Sequence, residues 1–91
     1  VYEGMSFQVE DCAAATENML LAITDLGLAT VWIDGWLRVE NRAQKVAKII
    51  NLTDDKIVRI ILPVGKPKEA KKQAPKKPFQ QRAFFDTYGA N

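Results

Sequence analysis

The chain has no histidine and a single cysteine, Cys12, among its 91 residues. An intramolecular disulfide is therefore impossible, and the usual zinc-ligand spacings are absent. No apolar run is long enough to span a bilayer, and no basic stretch leads into an apolar core with a small-residue cleavage site. The expectation is a cytoplasmic protein with no membrane partner. The net charge of +2 is too weak to call for nucleic acid. What is present is ordinary for a soluble fold: 47% hydrophobic and 26% charged residues. A chain this short buries proportionately little surface, and without disulfide or metal its support must come from another polypeptide. It opens at Val1 without a methionine, which is consistent with a fragment.

Residues 1–10 show no periodicity and read as a loop. Asp11 is placed to cap a helix running to about Leu26, its carboxylate suited to the exposed amides and the positive end of the dipole. Apolar and small residues (Cys12, Ala13, Ala14, Ala15, Met19, Leu20, Leu21, Ala22, Ile23, Leu26) wrap well past one face, so the helix is expected to be buried on most sides or against a second subunit. Gly27 should close it in the left-handed conformation, with Leu28 packing back. Residues 29–33 are branched and aromatic and read as a short buried strand, broken by the Asp34-Gly35 turn signal. From Arg38 to Ile50, the spacing of Val39, Ala43, Val46, Ala47 and Ile50 predicts an amphipathic helix. Residues 57–62 read as a second strand with one exposed or paired Arg59, stopped by Pro63 and Gly65. Residues 66–78, rich in lysine and proline, should be an extended surface segment. Phe79, Phe84, Phe85 and Tyr88 bring back aromatic content in a tail, residues 79–91, expected to wrap over a neighbouring surface. The division is thus 1–65 as core, 66–78 as linker and 79–91 as tail.

Three stretches carry a family resemblance. The run from Glu10 to Ala22 followed by Leu26 to Ile33 resembles the alanine-rich, acidic-capped helix of the nitroreductase family, which ends at Gly-Leu and leads into a strand bearing tryptophan. The stretch Ile60-Ile61-Leu62-Pro63-Val64-Gly65-Lys66-Pro67 is similar to the family's last core strand and its exit. Lys76-Lys77-Pro78-Phe79, with Gln80, Gln81 and Phe85, is similar to the basic segment near the family's end. The family's arginine-rich amino-terminal motif has no counterpart, so the resemblance is to the carboxyl-terminal half only.

The resemblance implies an α+β, nitroreductase-like fold, incomplete in this chain and seen as a homodimer, with FMN as cofactor at the subunit interface and the amino-terminal half supplied from elsewhere. It implies NAD(P)H-driven reduction of a nitroaromatic, quinone or similar acceptor by hydride transfer through the flavin. The turn at Ile33, Asp34 and Gly35 would approach the flavin ring, Gly35 permitting close contact because it has no side chain; an Asp-Gly turn also serves simply to end a strand. Lys76, Lys77 and Arg82 are the candidates for the FMN phosphate, although lysine runs commonly form a solvated face. Trp32 and Trp36 flank the turn and are expected to fill the core, or else to line the substrate side. Asn18 is expected to satisfy a buried backbone group, and Cys12, in the first turn of its helix, to pack. No residue is singled out as catalytic. The alternatives are a family member with another reaction, such as reductive dehalogenation; a non-enzymatic interaction module built on the six lysines of residues 66–77, which lack interleaved aromatics for base stacking; and a flavin-free structural partner.

Overall fold

The computed structural model describes residues 6–69 and 72–90. The expectations that fall on Val1 to Met5, Ala70, Lys71 and Asn91 lie outside the described residues.

The first helix, α1, spans Gln8–Asp25. Asp11 is not its cap: Phe7 holds that position without a side-chain bond, and the Asp11 amide donates to the Phe7 carbonyl at 2.9 Å. With Glu10, Asp11 instead lies in the first turn, where its charge still opposes the dipole. The far end follows the Gly-Leu signal. Gly27 adopts φ +74°, its amide donates to the Thr24 carbonyl, and the Leu28 amide reaches back to Ile23, each at 3.0 Å. Those two bonds form a Schellman closure, which satisfies two of the last carbonyls.

Two stripes run along α1. Ala13, Thr16, Leu20 and Ile23 face inward, Thr16 being fully buried with its hydroxyl donating to the Cys12 carbonyl at 2.7 Å. Cys12, Ala15, Met19, Ala22 and Leu26 form a second stripe with alternating spacings of three and four, and every one of them is exposed. Helix-packing seams use this spacing.

Residues 29–33 and 61–65 lie antiparallel, but in place of a continuous ladder only two bridges form among the described residues, Ala29 with Gly65 and Ile33 with Ile61. Each exchanges two amide–carbonyl bonds of 2.8–3.1 Å. The shared register puts Val31 opposite Pro63 at the rung between them. Proline has no N–H to donate, so that rung cannot close; Thr30 compensates by donating its hydroxyl to the Pro63 carbonyl at 2.6 Å. The predicted burial of residues 29–33 is not met in this chain, since Val31 and Trp32 are exposed.

After the turn at Asp34, Gly35–Arg38 form a 3-10 helix, and Leu37 within it is the sole fully buried hydrophobic residue described, at 2% exposure. The second helix, α2, spans Arg42–Ile49 and packs against this 3-10 turn. It starts later than the predicted Arg38 because Glu40 and Asn41 both take left-handed φ, 55° and 56°. The Arg42 amide donates to the Val39 carbonyl at 3.1 Å, making a tight turn that no helix can run through. The predicted stripe narrows to Ala43, Val46 and Ala47, leaving Val39 and Ile50 exposed. Asn51, φ 55°, closes α2 as Gly27 closes α1, with Leu52 donating to Ala47 at 2.8 Å.

The described part of residues 66–78 is exposed throughout and has no regular structure. In the tail a short 3-10 turn, Phe79–Gln81, is followed by two aromatic contacts: Phe84 with Tyr88 edge-on at 4.9 Å, and Phe79 with Phe85 at 6.4 Å.

The radius of gyration is 18.0 Å, against about 12 Å for a compact domain of this length. The accessible surface is 8417 Å², about 3,100 Å² above the roughly 5,300 Å² of a compact monomer of this mass. Large hydrophobic side chains make up part of that exposed surface, among them Leu21, Leu26, Ile49 and Ile57.

Candidate functional site

The turn between the bridge at Ile33 and the 3-10 helix brings one aspartate together with two arginines. Asp34 accepts two parallel bonds from Arg38, Nε to Oδ1 and Nη2 to Oδ2, both 2.9 Å. This planar fork fits a carboxylate better than any lysine could. Arg59 approaches from the extended segment, its Nε 3.9 Å from Asp34 Oδ1. That Nε is sealed from solvent and has no hydrogen-bond partner among the described residues. The Arg38 fork, with the charges of Arg38 and Arg59 and a bond from Trp32, holds the Asp34 carboxyl below its ordinary range despite partial desolvation, and Asp34 in turn raises Arg38. Asp34 is thus a committed carboxylate and no proton donor. The cluster of two arginines and one aspartate carries a net positive charge.

Gly35 has open space on the side where a side chain would stand: apart from its chain neighbours and the backbone of its own turn, no atom of the described residues lies within 4 Å of the place a β-carbon would occupy. Nothing in this chain's packing calls for glycine there, and its backbone is accessible from that side. Trp36 is 53% exposed, so it does not fill the core as predicted. Arg42 stacks over its ring at 4.7 Å, donates to its carbonyl at 3.3 Å and pairs with Glu40 at 2.7 Å. Trp32 is likewise exposed. Asn18 is exposed and satisfies no buried group among the described residues; Thr16 is the buried polar side chain of α1. Cys12 lies past the first turn of α1 and is exposed, so it does not pack within this chain.

Lys76, Lys77 and Arg82 are exposed, and no carboxylate engages them among the described residues. Arg82 folds back to donate from Nε to the Lys77 carbonyl at 2.9 Å, so Lys76, Lys77 and Arg82 form one group through the backbone. Ile33, Asp34 and Gly35 form a second group. Among the described residues no hydrogen bond or ion pair joins the first group to the second. Sequence reasoning missed Arg38 and left Arg59 undecided between exposed and paired; the spacing of Asp34 and Arg38, four residues apart, was the available signal.

The profile of the nitroreductase family matches residues 2–66, which includes the turn at Ile33, Asp34 and Gly35. An Archaeoglobus fulgidus protein provisionally named NADH dehydrogenase/NAD(P)H nitroreductase is 36% identical over 63 residues, covering 69% of this chain and 36% of the relative. A Methanothermobacter thermautotrophicus protein of the same provisional name is 35% identical over 63 residues, 69% of this chain and 32% of its own length. An NADPH-dependent oxidoreductase of Staphylococcus epidermidis is 33% identical over 91 residues, 98% of this chain and 35% of its own, so that similarity runs on into the basic segment. The aligned regions are about a third of each relative's length. No solved structure gives a significant match. Since the family profile extends over well more than half of the residues, from the amino-terminal approach to α1 through the Pro63–Gly65 exit, the chain belongs to the nitroreductase family.

Proposed function

We propose that this chain is the carboxyl-terminal part of an FMN-dependent oxidoreductase that uses NAD(P)H to reduce a nitroaromatic, quinone or similar acceptor, working as a homodimer. The observation that carries this reading is the turn at Ile33, Asp34 and Gly35, within the region matched to the family, whose backbone lies open on the glycine side. Two groups of residues would serve the two ends of a flavin mononucleotide. Ile33, Asp34 and Gly35 would meet the ring, which needs a backbone that a planar group can approach. Lys76, Lys77 and Arg82, without a carboxylate partner among the described residues, would meet the phosphate, which needs uncommitted cations. When bound, the flavin supplies hydride acceptance and donation, while the protein supplies binding and electrostatics. The nicotinamide donor is suggested by the names of the relatives. Asp34, held as a carboxylate, contributes charge and hydrogen-bond acceptors rather than a proton.

The test is the visible absorbance of the purified protein together with the mass of every polypeptide in it. Flavin bands with NAD(P)H-dependent bleaching support the reading. A colourless protein that stays colourless with added FMN refutes it and favours an interaction module built on the exposed lysine segment.

A further inference from the structure

Arg38 makes the best-formed side-chain contact in the described structure, and it makes it at the turn rather than in a core. Both of its bonds to Asp34 are 2.9 Å, yet its side chain is 53% exposed. Exposed ion pairs contribute little to stability, typically about 0–1 kcal/mol. A two-bond fork does fix geometry, since it leaves neither side chain a free rotation.

The surroundings give that geometry a direction. Asp34 immediately precedes the 3-10 helix, and its carbonyl accepts the Leu37 amide at 3.0 Å. Leu37 is buried beneath the turn, so the backbone is anchored from below by Leu37 and clamped from the side by Arg38. On the other side Ile33 is fixed by its paired bonds to Ile61. Arg59 stands as a second cation beside the same carboxylate, its buried Nε otherwise without a partner among the described residues. Gly35, between these fixed points, faces open space.

We propose that Arg38 is a positioning residue: through its two-bond pair with Asp34, and backed by Arg59, it holds the backbone of the Ile33, Asp34 and Gly35 turn in the conformation that receives the cofactor. The proposal rests on the FMN reading above. Because the fork, and not the charge alone, is what positions the turn, Arg38→Lys should behave like Arg38→Gln.

The experiment compares the full protein with its Arg38→Gln and Arg38→Lys variants by FMN titration, thermal unfolding and amide exchange at Leu37. Both variants are expected to bind FMN about tenfold more weakly, to keep a nearly unchanged unfolding midpoint, and to exchange the Leu37 amide faster. Unchanged FMN affinity in both variants, rescue by lysine, or affinity and midpoint falling together each overturn the proposal, the last because it marks a merely structural role. A wild-type protein that binds no FMN refutes the functional reading instead, and Leu37 exchange in the flavin-free protein then decides the clamp: exchange unaltered by Arg38→Gln sinks it.

Discussion

Replacing Met19 with lysine tests what covers the outer flank of α1. Met19 is the midpoint of the exposed stripe Cys12, Ala15, Met19, Ala22 and Leu26, is itself 49% exposed, and lines a groove of about 360 Å³ with Ile50, Leu52 and Leu62. Lysine and methionine have nearly equal helix propensities, so on a flank open to water the exchange should alter stability by no more than about 0.5 kcal/mol. Under a second polypeptide, the same exchange forfeits about 1.5–3 kcal/mol of methionine burial and strands an ammonium whose desolvation costs several kcal/mol more. The surface area argues for the covered case. The excess of about 3,100 Å² per chain would give two such chains an interface at or above the upper range of obligate dimers, roughly 2,000–5,000 Å². Met19→Lys should therefore cost at least about 3 kcal/mol, which for a chain of this size lowers the unfolding midpoint by about 12–24 °C. Sedimentation velocity and thermal unfolding at two protein concentrations measure both effects. A wild type that sediments at 10.2 kDa with concentration-independent cooperative unfolding, and a variant with the same midpoint, would refute the reasoning.

Gly27→Ala should lower stability by about 1 kcal/mol, because φ is +74° while the space around it is open; differential scanning calorimetry would show it, and no change would mean that the helix end is not closed this way. Asp34→Asn should flatten the acid limb of the stability curve. The folded carboxyl titrates below its ordinary value, chiefly because of the Arg38 fork, so its contribution is complete above the unfolded value of about 3.9 and is lost as pH falls through the folded one. Chemical denaturation at a series of acidic pH values checks this, and identical slopes in wild type and variant would contradict it.

What was legible in the sequence was local. The Gly-Leu pair ended α1 where it should, because a left-handed closing residue followed by an apolar one leaves its own chemical mark. The start of α2 was misplaced because Glu40 announces nothing about a left-handed φ, although Asn41 and Asn51 are residues that tolerate it. Residues 29–33 have strand character and do pair, yet Pro63, read only as a stop signal, also removes the rung opposite Val31. The tryptophans and the outer stripe of α1 show the larger difficulty. Hydrophobic pattern reports which faces should be dry, and it is silent on whether the same chain dries them. For the site, the turn was legible through Asp-Gly, whereas the Arg38 and Arg59 cluster required the fold to bring residue 59 beside residue 34.

A backbone edge offers a separate test of association. Ile61 pairs with Ile33, so by alternation the amides and carbonyls of Val58, Ile60 and Leu62 point to the opposite side of the same segment. Among the described residues none of these backbone groups has a hydrogen-bond partner, and all three residues are already partly buried by this chain alone. Covering such a group without a partner costs about 1–3 kcal/mol, so an apolar strand edge of this kind is satisfied by another strand or remains a site of association. If a second polypeptide or a further part of the protein lies alongside, the amides of Val58 and Ile60 should exchange with solvent as slowly as those of Ile33 and Ile61, whose acceptors lie within this chain. Hydrogen exchange resolved to single residues decides the matter: fast exchange at Val58 and Ile60 beside slow exchange at Ile61 would mean that the edge stays open, and that the apolar run of residues 57–62 is stabilised from one side only.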